Sequence, residues 1–130
     1  MKKTIITAVL SILFIYGCQK DVTLIIKPVS VVITKTVYFS KDLKPLFTKS
    51  CALGGCHATG GHTPNLMADK AYNSLINGPG LINIKNPESS ILYKRLTGAL
   101  SPAMPMGAAS NPSNINGLVL AWIKQGAKNN

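Results

Sequence analysis

The sequence predicts an all-α domain of about four short helices, preceded by an extended tether. From residue 38 onward, apolar residues recur at three- and four-residue spacing in short stretches. Gly, Pro and Asn separate these stretches, and the domain shows neither an internal repeat nor a convincing sheet pattern. Residues 19–37 are instead rich in β-branched residues and are interrupted by Pro28, which predicts an extended tether with one or two short strands.

The first helix is predicted over the stretch KDLKPLFTKSCA. Ser40 is a suitable N-cap, and Asp42 follows in the first turn, where the helix dipole favours a negative charge. Pro45 is tolerated there because early helical N–H groups have no intrahelical partner. The helix therefore brings Cys51 to the core side. Its inner face comprises Leu43, Leu46, Phe47 and Ser50.

Three more helices are predicted downstream. The second covers residues 69–76 and ends at the sequence NGPG. The third begins at residues 86–88, an Asn cap followed by proline at the first helical position, and it stops near Gly98. The last begins after residues 111–112 and stops at Gly126. Its apolar face comprises Ile115, Leu118, Val119, Trp122 and Ile123.

The N-terminus has the composition of an export signal. Apolar residues make up 46% of the chain and charged residues 14%, which excludes a disordered protein. Lys2 and Lys3 precede a short apolar run, residues 5–16, and a small residue then precedes a cysteine. This order predicts a secretory signal peptide, and the run is too short for a comfortable membrane-spanning helix.

The sequence IYGC, which ends at Cys18, resembles the lipoprotein box of bacterial lipoproteins. The resemblance implies that Cys18 becomes the lipid-modified N-terminus of an exported protein. The membrane then holds the protein through its lipid anchor, on the periplasmic side or at the cell surface. The expected organisation is a signal peptide over residues 1–17, a tether over 18–37 and a folded domain over 38–130.

The chain is strongly basic. Its net charge is +10, and removal of the signal peptide with its two lysines lowers this to +8. Such a surface attracts acidic partners or anionic membrane groups. The basic residues are scattered rather than gathered in a stripe, and an exported lipoprotein meets little nucleic acid. We therefore expect no nucleic-acid partner.

The sequence CALGGCHATGGH, residues 51–62, contains two of the three cysteines and both histidines of the chain. Two thiols close in sequence and followed at once by histidine resemble the attachment motif of c-type cytochromes, C-x-x-C-H. The resemblance implies one covalent haem c per chain, bound by Cys51 and Cys56, with His57 as the proximal iron ligand. The spacing here is C-x4-C-H, a less common form, and Gly54-Gly55 allows the longer loop to fold back.

Other interpretations of the loop stay open. Exported thiols commonly form disulfides, so Cys51 and Cys56 could close a small ring. This would make the chain a disulfide-stapled interaction module without haem. A zinc site could use four ligands from the loop, which would add His57 and His62 to the two cysteines. His62 is otherwise expected to be a surface residue or to contact a haem propionate.

A second segment, SPAMPMGAA, resembles the loop that carries the distal methionine of small class I cytochromes. The resemblance implies that Met104 is the sixth iron ligand, with Met106 as the alternative and Met67 as a packing residue. If neither methionine binds iron, an open distal site would make the protein a haem sensor or a peroxidase-like protein.

Both flanks extend the resemblance. The sequences YFSKDLKPLFTKSC, NPESSILYKRLTG and LVLAWIKQGAKNN are similar to the first, third and last helices of lipoprotein cytochromes from environmental bacteria. The resemblance covers about residues 38–130. It implies a cytochrome c-like fold and an electron carrier rather than an enzyme. The expected partners of this carrier are redox proteins, and the basic surface of the chain favours partners with acidic docking surfaces. The residues expected to pack against the porphyrin or between the first and last helices are Leu46, Phe47, Leu92, Leu96, Leu118 and Trp122.

Overall fold

The structure, a computed structural model, describes residues 31–107 and 113–130. Within these ranges the chain forms four α-helices and no β-strand, so the predicted all-α class is confirmed there. A π-helical turn (Phe39–Leu43) continues into α1, and a short 3₁₀ turn (Pro87–Ser89) precedes α3. The predicted signal peptide and Cys18 lie outside the described residues. The helices are α1 (Lys44–Ser50), α2 (Ala71–Asn77), α3 (Ile91–Thr97) and α4 (Ser113–Lys124).

The predicted N-cap of the first helix is wrong. The helical region begins at Phe39, and the extended residue before it is Tyr38, with φ −96° and ψ 123°. Asp42 does lie in the first turn, and its Oδ2 atom accepts the backbone N–H of Tyr38 at 2.8 Å. Ser40 lies inside this turn, and its N–H donates to the carbonyl oxygen of Asn130. The far end of the chain thus contacts the start of this helix.

The predicted third helix is interrupted at Ser90. Asn86 and Pro87 begin a 3₁₀ turn, as their sequence indicates, but Ser90 has an extended ψ of 130°. The side chain of Ser90 is buried, and its Oγ atom accepts the N–H of Asn83 at 2.9 Å. The regular helix then starts at Ile91, later than predicted. Its predicted end is correct, because Gly98 closes it with φ 76°.

The other two helices differ little from expectation. α2 begins at Ala71, two residues after the predicted start, and ends at Asn77. Gly126 stops the last helix as predicted, with φ 94°. That helix is described from Ser113, directly after residues 111–112 as predicted, and those two residues lie outside the described ranges.

Phe39 forms the centre of an aromatic cluster that joins the two ends of the domain. Its ring centroid lies 5.3 Å from that of Tyr72 on α2 and 5.3 Å from that of Trp122 on α4. Trp122 is 1% exposed, and its Nε1–H donates to the carbonyl oxygen of Lys128. Each such buried apolar side chain stabilises the fold by about 1.5–3 kcal/mol relative to exposure. The first and last helical segments are thus packed together through Phe39.

Residues 31–37, the described part of the predicted tether, contain no strand. They lie against the domain instead: Ile33 packs on the core, and Val37 is 1% exposed. The expected short strands are therefore absent from this part, and any strand in residues 19–30 lies outside the described residues. In the described ranges no helix is both long and apolar enough to cross a membrane.

Candidate functional site

The end of α1 places Cys51 beside the histidine that follows Cys56. Cys51 is the C-cap of α1, and its N–H donates to the carbonyl oxygen of Phe47. Its own carbonyl oxygen accepts the N–H of His57 at 3.1 Å. Both thiols are free in the structure, Cys51 half-buried and Cys56 exposed. The loop thus folds back on itself and brings together the three residues of the predicted attachment motif.

Two glycines allow the loop from Cys51 to His62 to fold back on itself. Gly55 has φ 78°, a conformation that residues with a side chain rarely adopt, as expected for the longer loop. Gly61 has a steric role that the sequence pattern does not reveal, because a Cβ atom on it would overlap the carbonyl oxygen of Cys56. That oxygen accepts the N–H of His62 at 2.6 Å, so the backbone passes very close to Cys56 here.

The ring of His57 is fixed by main-chain oxygens. Its Nδ1 atom lies 2.9 Å from the carbonyl oxygen of Pro64 and 3.2 Å from that of His62. A carbonyl oxygen can only accept a hydrogen bond, so Nδ1 carries a proton, and whenever the ring is neutral Nε2 has the free lone pair. The backbone N–H of Leu66 donates to the carbonyl oxygen of His57, which is a further hydrogen bond between His57 and the same loop. This neutral tautomer is the form that binds a metal through Nε2.

Pro64 is a functional residue that the sequence did not identify. Its contribution comes from a backbone carbonyl, which every residue has, and spacing alone does not show that this carbonyl faces the ring of His57. A proline seven residues after a histidine has no general meaning. Only the folded loop reveals the pair.

Burial raises the pKa of the Cys51 thiol, and the nearby Cys56 raises it further when it is charged. Cys51 therefore stays protonated over a wider pH range than an ordinary thiol. Its position at the end of α1, against the core, is the reason for this burial. Cys56 lies on the exposed side of the loop.

A buried hydroxyl lies one helical turn before Cys51. The Oγ1 atom of Thr48 is buried and has no hydrogen-bond partner among the described residues. Residues three apart on a helix lie on the same face, so this hydroxyl is on the side of Cys51. An unpaired buried hydroxyl costs about 1–3 kcal/mol. The hydroxyl of Thr48 thus stays without a partner among the described residues.

Met104 is positioned by a different element. Its backbone N–H donates to the carbonyl oxygen of Arg95 on α3 at 2.9 Å, and the guanidinium of Arg95 donates to the carbonyl oxygen of Pro102. These two bonds hold the methionine loop against α3. The side chain of Met104 is half-buried, whereas that of Met106 is 72% exposed. No hydrogen bond of Met104 joins it to the Cys51–His62 loop in the described part of the chain.

The four donors of the zinc alternative are not assembled. Among the described residues, no group of three or more His, Cys, Asp or Glu side chains lies close enough to hold a metal ion. His62 is exposed, and it contributes its main chain, not its ring, to the loop. Met67 is half-buried, as its predicted packing role requires.

The residues predicted to pack around a porphyrin divide into two groups. Leu46 and Leu118 are half-buried and keep surface free for a further contact. The other four are already enclosed by the protein, with Phe47 and Trp122 each 1% exposed. These four belong to the buried core of the domain. The enclosed residues are Phe47, Leu92, Leu96 and Trp122.

A cavity of about 650 Å³ lies between α2 and the loop that contains Pro64. Its lining includes Pro64, Lys70 and Ser74. Cys51, Cys56, His57 and Met104 do not line it, so the cavity borders the site only through Pro64.

Comparisons of this chain with protein-family models, with curated proteins and with solved structures gave no match. The functional conclusion therefore depends on the site itself. Two free thiols and a histidine whose Nδ1 atom faces main-chain oxygens, which leaves Nε2 available, fit a covalently attached haem. The fit is chemical: the donor types and their order along the loop are those that haem attachment requires.

Proposed function

We propose that this protein is a membrane-anchored electron carrier with one covalently attached haem. The observation that carries the proposal is the hydrogen bond between His57 and Pro64, next to the two free thiols. It directs Nδ1 to the main chain and leaves Nε2 of the imidazole available immediately after Cys56. A haem group at this site would supply a single iron atom that alternates between two oxidation states.

Each residue has a separate task in this proposal. Cys51 and Cys56 would hold the group through thioether bonds, and His57 would supply an imidazole ligand to its iron. Pro64 and His62 keep the imidazole in one tautomer and orientation, as main-chain acceptors do for metal-binding histidines. Met104 is the proposed ligand on the other side, and its partial burial makes it a better choice than Met106. A thioether ligand opposite histidine favours the reduced iron.

A site with both axial positions filled leaves no place for a substrate, so we propose a carrier and not an enzyme. The predicted lipid on Cys18 would hold the carrier at the periplasmic side of a membrane or at the cell surface. The surface charge supports acidic redox partners. Each carboxylate in the described ranges lies within ion-pair distance of a lysine, whereas Lys44, Lys49 and Lys85 have no such partner there.

Mass spectrometry of the mature protein tests the proposal directly. The protein is produced in an exporting host with haem-attachment machinery, alongside the Cys51→Ala/Cys56→Ala double variant. We expect the wild-type protein to gain the mass of one haem and the double variant to gain none. A wild-type mass two hydrogens below that of the reduced chain would indicate a disulfide instead and would contradict the proposal.

A further inference from the structure

We propose that residues 31–37 are a docked segment, clamped to the last helix and the C-terminal tail by two carboxamide side chains. The membrane anchor would then connect to the domain through residues 18–30 alone. The clamp is independent of the proposed function. Its consequence for membrane distance rests on the predicted lipid at Cys18.

Gln125 makes the first half of the clamp. Its Oε1 atom accepts the backbone N–H of Val37 at 2.8 Å, and its Nε2 atom donates to the carbonyl oxygen of Lys35 at 3.0 Å. One carboxamide therefore satisfies a donor and an acceptor of the docked segment, as a neighbouring strand would. An extended segment outside a sheet has no neighbouring strand to pair its backbone N–H and C=O groups. The side chain of Gln125 pairs two of these groups instead.

Asn130 adds a contact at the end of the docked segment and two bonds to the residues that follow it. Its Oδ1 atom accepts the N–H of Phe39 at 2.9 Å, and its carbonyl oxygen accepts the N–H of Ser40 at 2.9 Å. Its Nδ2 atom also faces the carbonyl oxygen of Val37 at 3.5 Å. The bonds of both carboxamides join residues about ninety positions apart, so they close the two ends of the domain on each other.

The surface of α4 is shaped for the docked segment. A Cβ atom on Gly117 would lie 2.5 Å from the carbonyl oxygen of Val31 and 3.5 Å from the side chain of Ile33. Glycine is otherwise unfavourable within a helix relative to alanine. The backbone of the docked segment can lie this close to α4 only because residue 117 has no side chain. Ile33 and Val37 then complete the core contact.

Docking shortens the span between lipid and domain. An extended chain covers at most about 3.5 Å per residue, so the whole predicted tether, residues 18–37, would allow about 70 Å. With residues 31–37 docked, residues 18–30 allow about 45 Å. A shorter span raises the effective concentration of the domain near the bilayer. The partner that this arrangement favours is a redox protein held at the same membrane surface.

Amide hydrogen exchange on the full chain tests the clamp. We compare the wild type with Gln125→Leu, which keeps the side-chain size but removes both hydrogen bonds. The matched control is Asn77→Leu, which changes an exposed carboxamide on α2. We expect exchange at Val37 to accelerate about tenfold in Gln125→Leu and not in the control. Exchange at Val119, in the core of α4, reports whether the whole domain has been destabilised.

Equal exchange at Val37 in the wild type and Gln125→Leu would overturn the clamp. Gly117→Val provides a second test from the helix side and should also accelerate exchange at Val37. Ile33→Asn should do the same without changing α4. If all three variants leave Val37 as protected as in the wild type, residues 31–37 are not held by these contacts.

The shorter span is tested by energy transfer on vesicles. The full lipidated chain carries a dye at exposed residue 85, attached through an encoded azide amino acid, and the lipid headgroups carry the donor. We expect lower transfer efficiency in Gln125→Leu than in the wild type or Asn77→Leu. Equal efficiencies would overturn the inference about membrane distance. A clamped protein without bound haem would contradict the proposed function and leave the clamp standing.

Discussion

The Nδ1 atom of His57 and the carbonyl oxygen of Pro64 lie 2.9 Å apart, seven residues from each other in the sequence. This pair fixes the imidazole as the tautomer with a free Nε2 atom. The orientation of a metal-binding histidine commonly depends on such an acceptor. Because the acceptor is a main-chain oxygen, the arrangement depends on the course of the loop and not on the identity of residue 64.

Replacement of His57 should separate haem attachment from iron ligation. In His57→Ala we expect the fraction of molecules that still acquire haem to hold it covalently on the two cysteines. The low-spin reduced spectrum should be lost in these molecules. Added imidazole should restore it. His62→Ala is the matched control in the same loop, and its spectrum should equal that of the wild type. A spectral loss in His62→Ala alone would exchange the roles of the two histidines.

Alanine substitutions of Met104 and Met106 should differ in their effects on the reduction potential and on carbon monoxide binding. Met104→Ala removes the thioether ligand, so we expect the reduction potential to fall by on the order of 100 mV and carbon monoxide to bind the reduced protein at neutral pH. Met106→Ala changes a side chain that is 72% exposed and should leave both properties unchanged. Redox titration and carbon monoxide difference spectra measure the two effects. The opposite result would make Met106 the ligand.

A side chain at position 61 should disturb the attachment loop. Gly61→Ala places a methyl group against the carbonyl oxygen of Cys56, and such overpacking costs about 1–3 kcal/mol. We expect a lower midpoint in denaturant unfolding and a reduced yield of covalent haem. Gly54→Ala is the matched control, because a Cβ atom there meets no atom within 4 Å. Similar losses in both variants would refute the steric role of Gly61.

The aromatic cluster should contribute strongly to the free energy of unfolding. Trp122→Ala removes a ring that is 1% exposed, and truncations of this kind cost about 3–5 kcal/mol. Tyr72→Phe keeps its ring against Phe39 and loses only the hydroxyl bond to the carbonyl oxygen of Ala127, so it should cost about 1 kcal/mol. Urea unfolding followed by circular dichroism compares the two. Equal costs would mean that the rings do not join the ends of the domain.

The two thiols should react at different rates before haem is attached. Because burial raises the pKa of the Cys51 thiol, less of the reactive thiolate is present at a given pH. Alkylation of Cys51 should therefore be slower than that of exposed Cys56 near pH 8, and it should keep accelerating to higher pH. Timed alkylation of the haem-free chain, analysed by peptide mass spectrometry, measures both rates. Faster alkylation of Cys51 would contradict the buried position of this thiol.

The helices were predictable because their apolar spacing is local information. The spacing of Leu43 and Phe47, and that of Val119 and Trp122, located the first and last helices, and Gly98 and Gly126 marked the correct ends. The helix starts were less predictable. The π-helical turn begins at Phe39, whose N–H donates to Oδ1 of Asn130, and no local pattern reports a bond between residues about ninety positions apart.

In the site, too, local motifs were predictable from the sequence and long-range contacts were not. The types and order of Cys51, Cys56 and His57 were visible as a motif, and the structure brings their backbones together. Pro64 acts through its carbonyl, Gly61 through a missing side chain and Gln125 through long-range bonds, so the sequence alone gave no indication of them. Contacts that depend on backbone course become visible only in the folded chain.

The most direct test of the central claim is the absorption spectrum of the mature protein, oxidised and reduced, after extraction with acidified acetone. We predict that the pigment stays with the protein and gives sharp, low-spin reduced bands. A methionine–iron charge-transfer band should also be present and should disappear in Met104→Ala. A variant with the loop shortened to C-x-x-C-H controls for maturation. If that variant binds haem and the native loop remains colourless, the chain is not a cytochrome.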